Sequence, residues 1–91
     1  MSYRVVWRRK LRQRLDLLAF LAHERGDFSG AIPRAIQEVE LRLALAPNEE
    51  GESRSGNERV LVVTPLSVKY EVFEADETVL IYEAHVYKRR R

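Results

Sequence analysis

Apolar residues recur at helical spacing in two adjoining segments of the chain. The first stripe consists of Leu11, Leu15, Leu18 and Ala22, and it predicts an amphipathic helix over about residues 9–24. The second consists of Ile32, Ile36, Val39 and Leu43, and it predicts a helix that starts near Asp27 or Ser29 and ends before Pro47. Because the connection is short, we expect an antiparallel hairpin whose stripes pack on a further apolar surface.

Strand-like segments supply that surface. Residues 3–7 are β-branched and aromatic, which is typical of a strand, whereas residues 47–58 are polar and predict a loop. Three further strands are predicted near 59–64, 67–74 and 78–87, and their short turns require antiparallel pairing. The order β-α-α-β-β-β therefore predicts a single α+β domain over residues 1–91, with a helical hairpin packed on one face of an antiparallel sheet.

Composition excludes several other classes of protein. The chain has 91 residues, of which 45% are hydrophobic and 33% charged, as is ordinary for a soluble domain. The absence of cysteine excludes disulfides and thiolate metal sites. We see neither a signal peptide nor an apolar run of the ~20 residues needed to span a bilayer, so a cytoplasmic location is expected. Residues 1–25 carry seven basic and two acidic side chains, which favours an acidic or polyanionic partner.

Alternation in the last two strands predicts one polar face. Leu80, Tyr82, Ala84 and Val86 should face the helices, as should Val68, Tyr70 and Val72. The opposite face should carry Lys69, Glu71, Ile81, Glu83, His85, Tyr87 and Arg89, with Arg59 nearby. Cations there could bind a phosphodiester, and a carboxylate or imidazole could move the proton of a ribose 2′-OH. The alternative interpretation is a solvated sheet face with ordinary cross-strand ion pairs.

Two sequence runs add a family resemblance. The run from Arg59 to Val72, RVLVVTPLSVKYEV, and the ending from Val79 to Arg89, VLIYEAHVYKR, resemble the RelE/ParE superfamily of type II toxin–antitoxin toxins, the plasmid stabilisation proteins. The resemblance implies the fold above, a cognate antitoxin as partner and no metal or other cofactor. RelE-like members cleave messenger RNA on the ribosome, whereas ParE-like members poison DNA gyrase.

The resemblance also suggests roles for individual residues. Lys69 matches a strand arginine of the ribonuclease branch, and Arg89 matches a second arginine. The leading hypothesis is a ribosome-dependent mRNA endoribonuclease with Lys69, Glu83, His85 and Arg89 as catalytic residues and with Arg54, Arg59, Tyr87 and Lys88 binding RNA. The alternatives are a DNA gyrase inhibitor and an inactive homologue that serves as a protein-binding module. Assembly as a homodimer or as a toxin–antitoxin hetero-oligomer is compatible with each.

Overall fold

The computed structural model describes residues 2–54 and 56–87, and it has the α+β architecture that the sequence predicts. Its helices are α1 (Arg9–Glu24) and α2 (Ala31–Leu45). Its strands are β1 (Arg4–Trp7), β2 (Glu52–Ser53), β3 (Glu58–Val63), β4 (Leu66–Phe73) and β5 (Thr78–Val86), with a short 3₁₀ helix (Glu74–Asp76) before β5. The strand order in the sheet is β1-β5-β4-β3-β2. The helical hairpin covers one face of this sheet, which leaves the other face open.

The core lies between the two apolar stripes and the sheet. Leu15 of α1 and Val39 and Leu43 of α2 are fully buried, and they belong to one cluster with apolar residues of β3, β4 and β5. The largest fully buried side chains that the sheet contributes to this cluster are Tyr70, Leu66 and Ile81. The helical periodicity therefore identified the buried side of each helix correctly, because burial of apolar area is what holds an amphipathic helix on a sheet.

The sheet is mixed, whereas hairpin lengths alone predicted an antiparallel one. β3–β4 and β4–β5 are antiparallel as expected, but β1 runs parallel to β5, with Val5 opposite Val79. The chain from β1 to β5 runs through both helices and through β2, β3 and β4, so it is long enough for the crossover that a parallel pairing requires. β2 lies within the segment predicted as a loop, and it pairs with β3 through Ser53 and Arg59. This strand has only two residues, so no alternating pattern could reveal it.

A β-bulge in β5 corrects the predicted assignment of residues to the two faces. Lys69 pairs with Glu83, but Tyr70 pairs with Ile81, so Tyr82 is the extra residue. Ile81 consequently lies in the core rather than on the polar face, and Tyr82 is only partly buried. Leu80, which was also expected in the core, is likewise partly buried. Strict alternation predicted these positions wrongly because a bulge reverses the side on which the following residues point.

The start of α2 differs slightly from the expected one. Gly30, with φ of 70°, precedes the first helical residue and has no side chain to cap it. The Ser29 hydroxyl accepts the N–H of Ala31, and the Asp27 carboxylate accepts the N–H of Ser29. Both predicted capping residues therefore stabilise the turn that leads into α2, but the residue directly before the helix is Gly30. Pro33 lies in the first helical turn, where a backbone N–H would have no acceptor within the helix, so its absence removes no hydrogen bond.

Candidate functional site

Three of the predicted catalytic residues lie together on the open face of the sheet. Lys69 of β4 is directly opposite Glu83 of β5, and its Nζ lies 3.6 Å from Glu83 Oε2. The same Oε2 atom lies 3.0 Å from His85 Nε2. We refer to Lys69, Glu83 and His85 as the open-face cluster. The bulge at Tyr82 maintains this arrangement, because it places Glu83 and His85 on the open side although Ile81 is buried.

The cluster is accessible to a ligand. The side chains of Lys69, Glu83 and His85 are 47%, 42% and 60% exposed, respectively. Exposed ion pairs of this kind contribute little to folding stability, because water and salt screen them. A phosphate group could therefore replace the Glu83 carboxylate beside Lys69 without unfolding the sheet. Because His85 uses Nε2 toward Glu83, its Nδ1 is the ring nitrogen that remains to exchange a proton with a substrate.

The charge state of Glu83 follows from its neighbours. The hydrogen bond with His85 lowers the pKa of the Glu83 carboxyl group, and the positive charge of Lys69 lowers it further. Glu83 is therefore a carboxylate at neutral pH, able to orient the imidazole and to stabilise it when it carries a proton. The stabilisation that this carboxylate contributes is present above its unfolded-state pKa and is lost as the pH falls through its lower folded-state pKa.

The pKa of Glu83 provides a direct test of this geometry. In a His85→Ala variant, the pKa of Glu83 should rise toward its ordinary value, because the hydrogen bond that lowers it most is removed. A Lys69→Ala variant should raise the pKa by a smaller amount. The measurement is an NMR titration of the Glu83 side-chain carboxyl carbon, with Glu71 as an internal reference on the same sheet face. An unchanged Glu83 titration in His85→Ala would contradict the hydrogen bond.

Arg59 lies away from the open-face cluster. It pairs with the buried Tyr70, and its Nε and Nη2 donate to the carbonyl oxygens of Glu50 and Gly51 at 3.0 and 3.3 Å. The Tyr70 hydroxyl lies 2.6 Å from the same Glu50 carbonyl oxygen. Arg59 and Tyr70 together fix the segment between α2 and β2. The sequence suggested that Arg59 joins the polar face, but the structure gives its guanidinium a role in holding this segment.

Arg54 and Tyr87, two further predicted RNA-binding residues, have neighbours outside the cluster. Arg54 follows the edge strand β2, is exposed and forms an ion pair with Glu52 at 3.3 Å. Tyr87 follows β5; its backbone N–H donates to the Pro65 carbonyl oxygen at 2.7 Å, and its side chain is exposed. Lys88 and Arg89 lie outside the described residues. Of the eight predicted site residues, the structure therefore brings together Lys69, Glu83 and His85.

An apolar cleft opens beside Tyr87. Its volume is about 660 Å³, and it lies between the end of the helical hairpin where α1 connects to α2 and the turn that joins β3 to β4. Apolar parts of the wall come from Leu18, Ala22, Ile32, Pro65 and Val86. Arg25, Arg34 and Asp27 also line it. The sequence did not indicate this cleft, because its walls come from four separate segments of the chain.

A second, smaller cleft of about 310 Å³ adjoins the open-face cluster. Glu83 and His85 form part of its wall, together with Tyr82. The other side is basic and comes from the start of α1: Arg8, Lys10 and Arg14. The Nη2 of Arg14 donates to the Ala84 carbonyl oxygen at 3.0 Å, which joins the helix to β5. The basic run was visible in the sequence, but its position next to His85 required the tertiary structure.

The described residues contain no group of three or more side chains suited to hold a metal ion. None of the helices in residues 2–54 and 56–87 has the length and apolar character needed to cross a membrane.

Comparison with known proteins identifies the fold. No family model matches the chain, and no curated protein matches it significantly. Among solved structures, a chain of the chromosomal ParDE toxin–antitoxin system from P. aeruginosa matches with a TM-score of 0.71. The protein has a ParDE-type fold. The match covers 94% of this chain and 97% of the other, at 17% sequence identity, and so it concerns the whole domain. The match confirms the fold that the RelE/ParE resemblance implies.

Proposed function

We propose that this protein is the toxin of a type II toxin–antitoxin pair and that it cleaves messenger RNA on the ribosome without a metal ion. The observation that supports this proposal best is the open-face cluster, in which a cation, a carboxylate and an imidazole meet on the exposed face of a ParDE-type sheet. An endoribonuclease can use a cation to stabilise the negative charge of the phosphate and an imidazole or a carboxylate to move the proton of the 2′-OH.

The proposed reaction uses the 2′-OH of the RNA as its nucleophile. His85 accepts the 2′-OH proton, and Glu83 orients the imidazole and stabilises its protonated form. The 2′ oxygen attacks phosphorus, the bond from phosphorus to the 5′ oxygen breaks, and solvent supplies a proton to the departing oxygen. The products are a 2′,3′-cyclic phosphate and a 5′-hydroxyl. Lys69 stabilises the negative charge that grows on the phosphate. Arg89, which lies outside the described residues, is proposed from the sequence as a second phosphate ligand.

Gyrase inhibition is the second candidate function. The observation that favours it is the name of the structural match, a ParDE system, since ParE-like toxins are the gyrase-directed branch of the family that the sequence resembles. A gyrase inhibitor needs only a binding surface, so it would not depend on Lys69 or His85. A homologue that serves only to bind a partner would neither cleave mRNA nor inhibit gyrase.

The proposal includes a cognate antitoxin as partner. The apolar cleft beside Tyr87 suits an amphipathic segment, because apolar side chains line it. Arg25 and Arg34 in its wall are placed to attract acidic residues of such a segment. An antitoxin bound there would contact the domain at a different place from the open-face cluster.

The test is induction of the protein in a bacterial host, alone and together with the small gene next to its own. Growth arrest is expected from the protein alone, and co-expression should relieve it and yield a complex in a pull-down. Cleavage sites mapped on translating ribosomes should distinguish the ribonuclease from a gyrase inhibitor, which would instead alter DNA supercoiling. Growth without arrest, together with a recovered complex, would favour the partner-binding homologue.

A further inference from the structure

The basic side chains at the start of α1 fall into two groups with different surroundings. Arg12 is held by carboxylates: it lies 3.2 Å from Asp16 and 3.1 Å from Glu40, and its guanidinium lies over the ring of Trp7. Arg8 and Lys10, by contrast, form no ion pair with a carboxylate in residues 2–54 and 56–87, and both line the cleft beside the open-face cluster. Arg12 therefore has a structural role, whereas Arg8 and Lys10 are available to a ligand.

The position of these cations costs stability rather than contributing to it. The first turn of α1 contains no acidic residue, although acidic residues are the ones that the helix dipole favours there. A cation in that turn is unfavourable for the same reason. Residues that break a local rule without a compensating contact are expected at functional sites. The unpaired charges of Arg8 and Lys10 fit this description.

We propose that the cleft lined by Arg8, Lys10 and Arg14 binds the phosphate backbone of single-stranded RNA next to the open-face cluster. This inference rests on the proposed ribonuclease function and adds a binding surface to it. The cleft is continuous with the catalytic residues, because Glu83 and His85 belong to its wall. A strand whose scissile phosphate lies at Lys69 and His85 would place a neighbouring phosphate among the cations of α1.

Two features of the cleft favour RNA over an acidic protein segment. Tyr82, the bulge residue, contributes an aromatic side chain to the wall, and unpaired bases stack on aromatic rings. The Glu83 carboxylate is shared with His85, which gives the cleft a group able to react with a 2′-OH. An acidic peptide has no 2′-OH on which this group could act. Arg14 donates to the Ala84 carbonyl oxygen and so holds the basic wall against β5.

The experiment measures binding of a fluorescent 2′-O-methyl oligoribonucleotide, which cannot be cleaved, by anisotropy at several salt concentrations. The variant is Arg8→Gln/Lys10→Gln. The matched control is Arg4→Gln/Arg9→Gln, which loses the same charge from residues that do not line this cleft. Each phosphate contact to a single strand contributes ~0.7 to the dependence of log K on log salt concentration, so the cleft variant should lose about 1.4 of that slope. The control should keep the wild-type slope.

Three outcomes would overturn the proposal. The first is equal slopes for the two variants, and the second is failure of the wild-type protein to bind the oligonucleotide. The third is preferential binding of a Glu-rich peptide through Arg8 and Lys10, which would assign the cleft to an acidic protein segment. Thermal melts followed by circular dichroism establish that both variants are folded. The uncleavable probe separates this test from the proposed function, since toxicity and mRNA cleavage can fail while RNA binding persists.

Discussion

A Lys69→Ala/His85→Ala variant should lose growth inhibition while remaining folded. Removal of one electrostatic contact to a transition state typically lowers the rate about 10²–10³-fold. Removal of a general base typically lowers it about 10²–10⁴-fold. Because both side chains are substantially exposed, their loss should leave the core unaffected. The sequence further predicts loss of toxicity for Arg89→Ala.

The measurement is toxicity on induction, combined with mapping of mRNA ends on translating ribosomes. Glu71→Ala is the matched control: Glu71 lies two residues after Lys69 on the same strand and the same open face, and it is not part of the cluster. We expect this variant to remain toxic. Undiminished toxicity of the Lys69/His85 double variant would contradict the catalytic assignment and favour gyrase as the target.

A Leu15→Ala variant should show the largest loss of stability among single leucine truncations in α1. Leu15 is fully buried between the helices and the sheet. Truncation of such a leucine costs about 2–5 kcal/mol, from lost burial and from the cavity left behind. Small domains are stable by only about 5–15 kcal/mol, so a large part of the total would be lost.

Chemical denaturation followed by circular dichroism measures this free energy of unfolding. The control is Leu17→Ala, since Leu17 is on the same helix but is 54% exposed, and its loss should have little effect. Leu18→Ala should fall between the two, because Leu18 packs against the core while only partly buried. Equal losses for Leu15→Ala and Leu17→Ala would contradict the observed orientation of α1.

The sequence by itself determined the parts of the fold that depend on neighbours along the chain. The spacing of Leu11, Leu15 and Leu18 located α1 at its observed bounds, Arg9–Glu24, because helical periodicity is a local property. Short turns likewise fixed the two antiparallel hairpins. Alternation also placed Lys69, Glu83 and His85 on one face of the sheet. The bulge at Tyr82, however, sets the register that brings Lys69 opposite Glu83.

Tertiary structure alone decided the features that join distant segments. The parallel pairing of β1 with β5 depends on how the helical hairpin returns the chain to the sheet, and no local pattern encodes it. The bulge at Tyr82 exists because β4 and β5 pair around an extra residue, which alternation along one strand cannot reveal. The same holds for the cleft, where Arg8 and Lys10 meet His85. Residues so far apart in sequence become neighbours only when burial of a shared core packs α1 against β5.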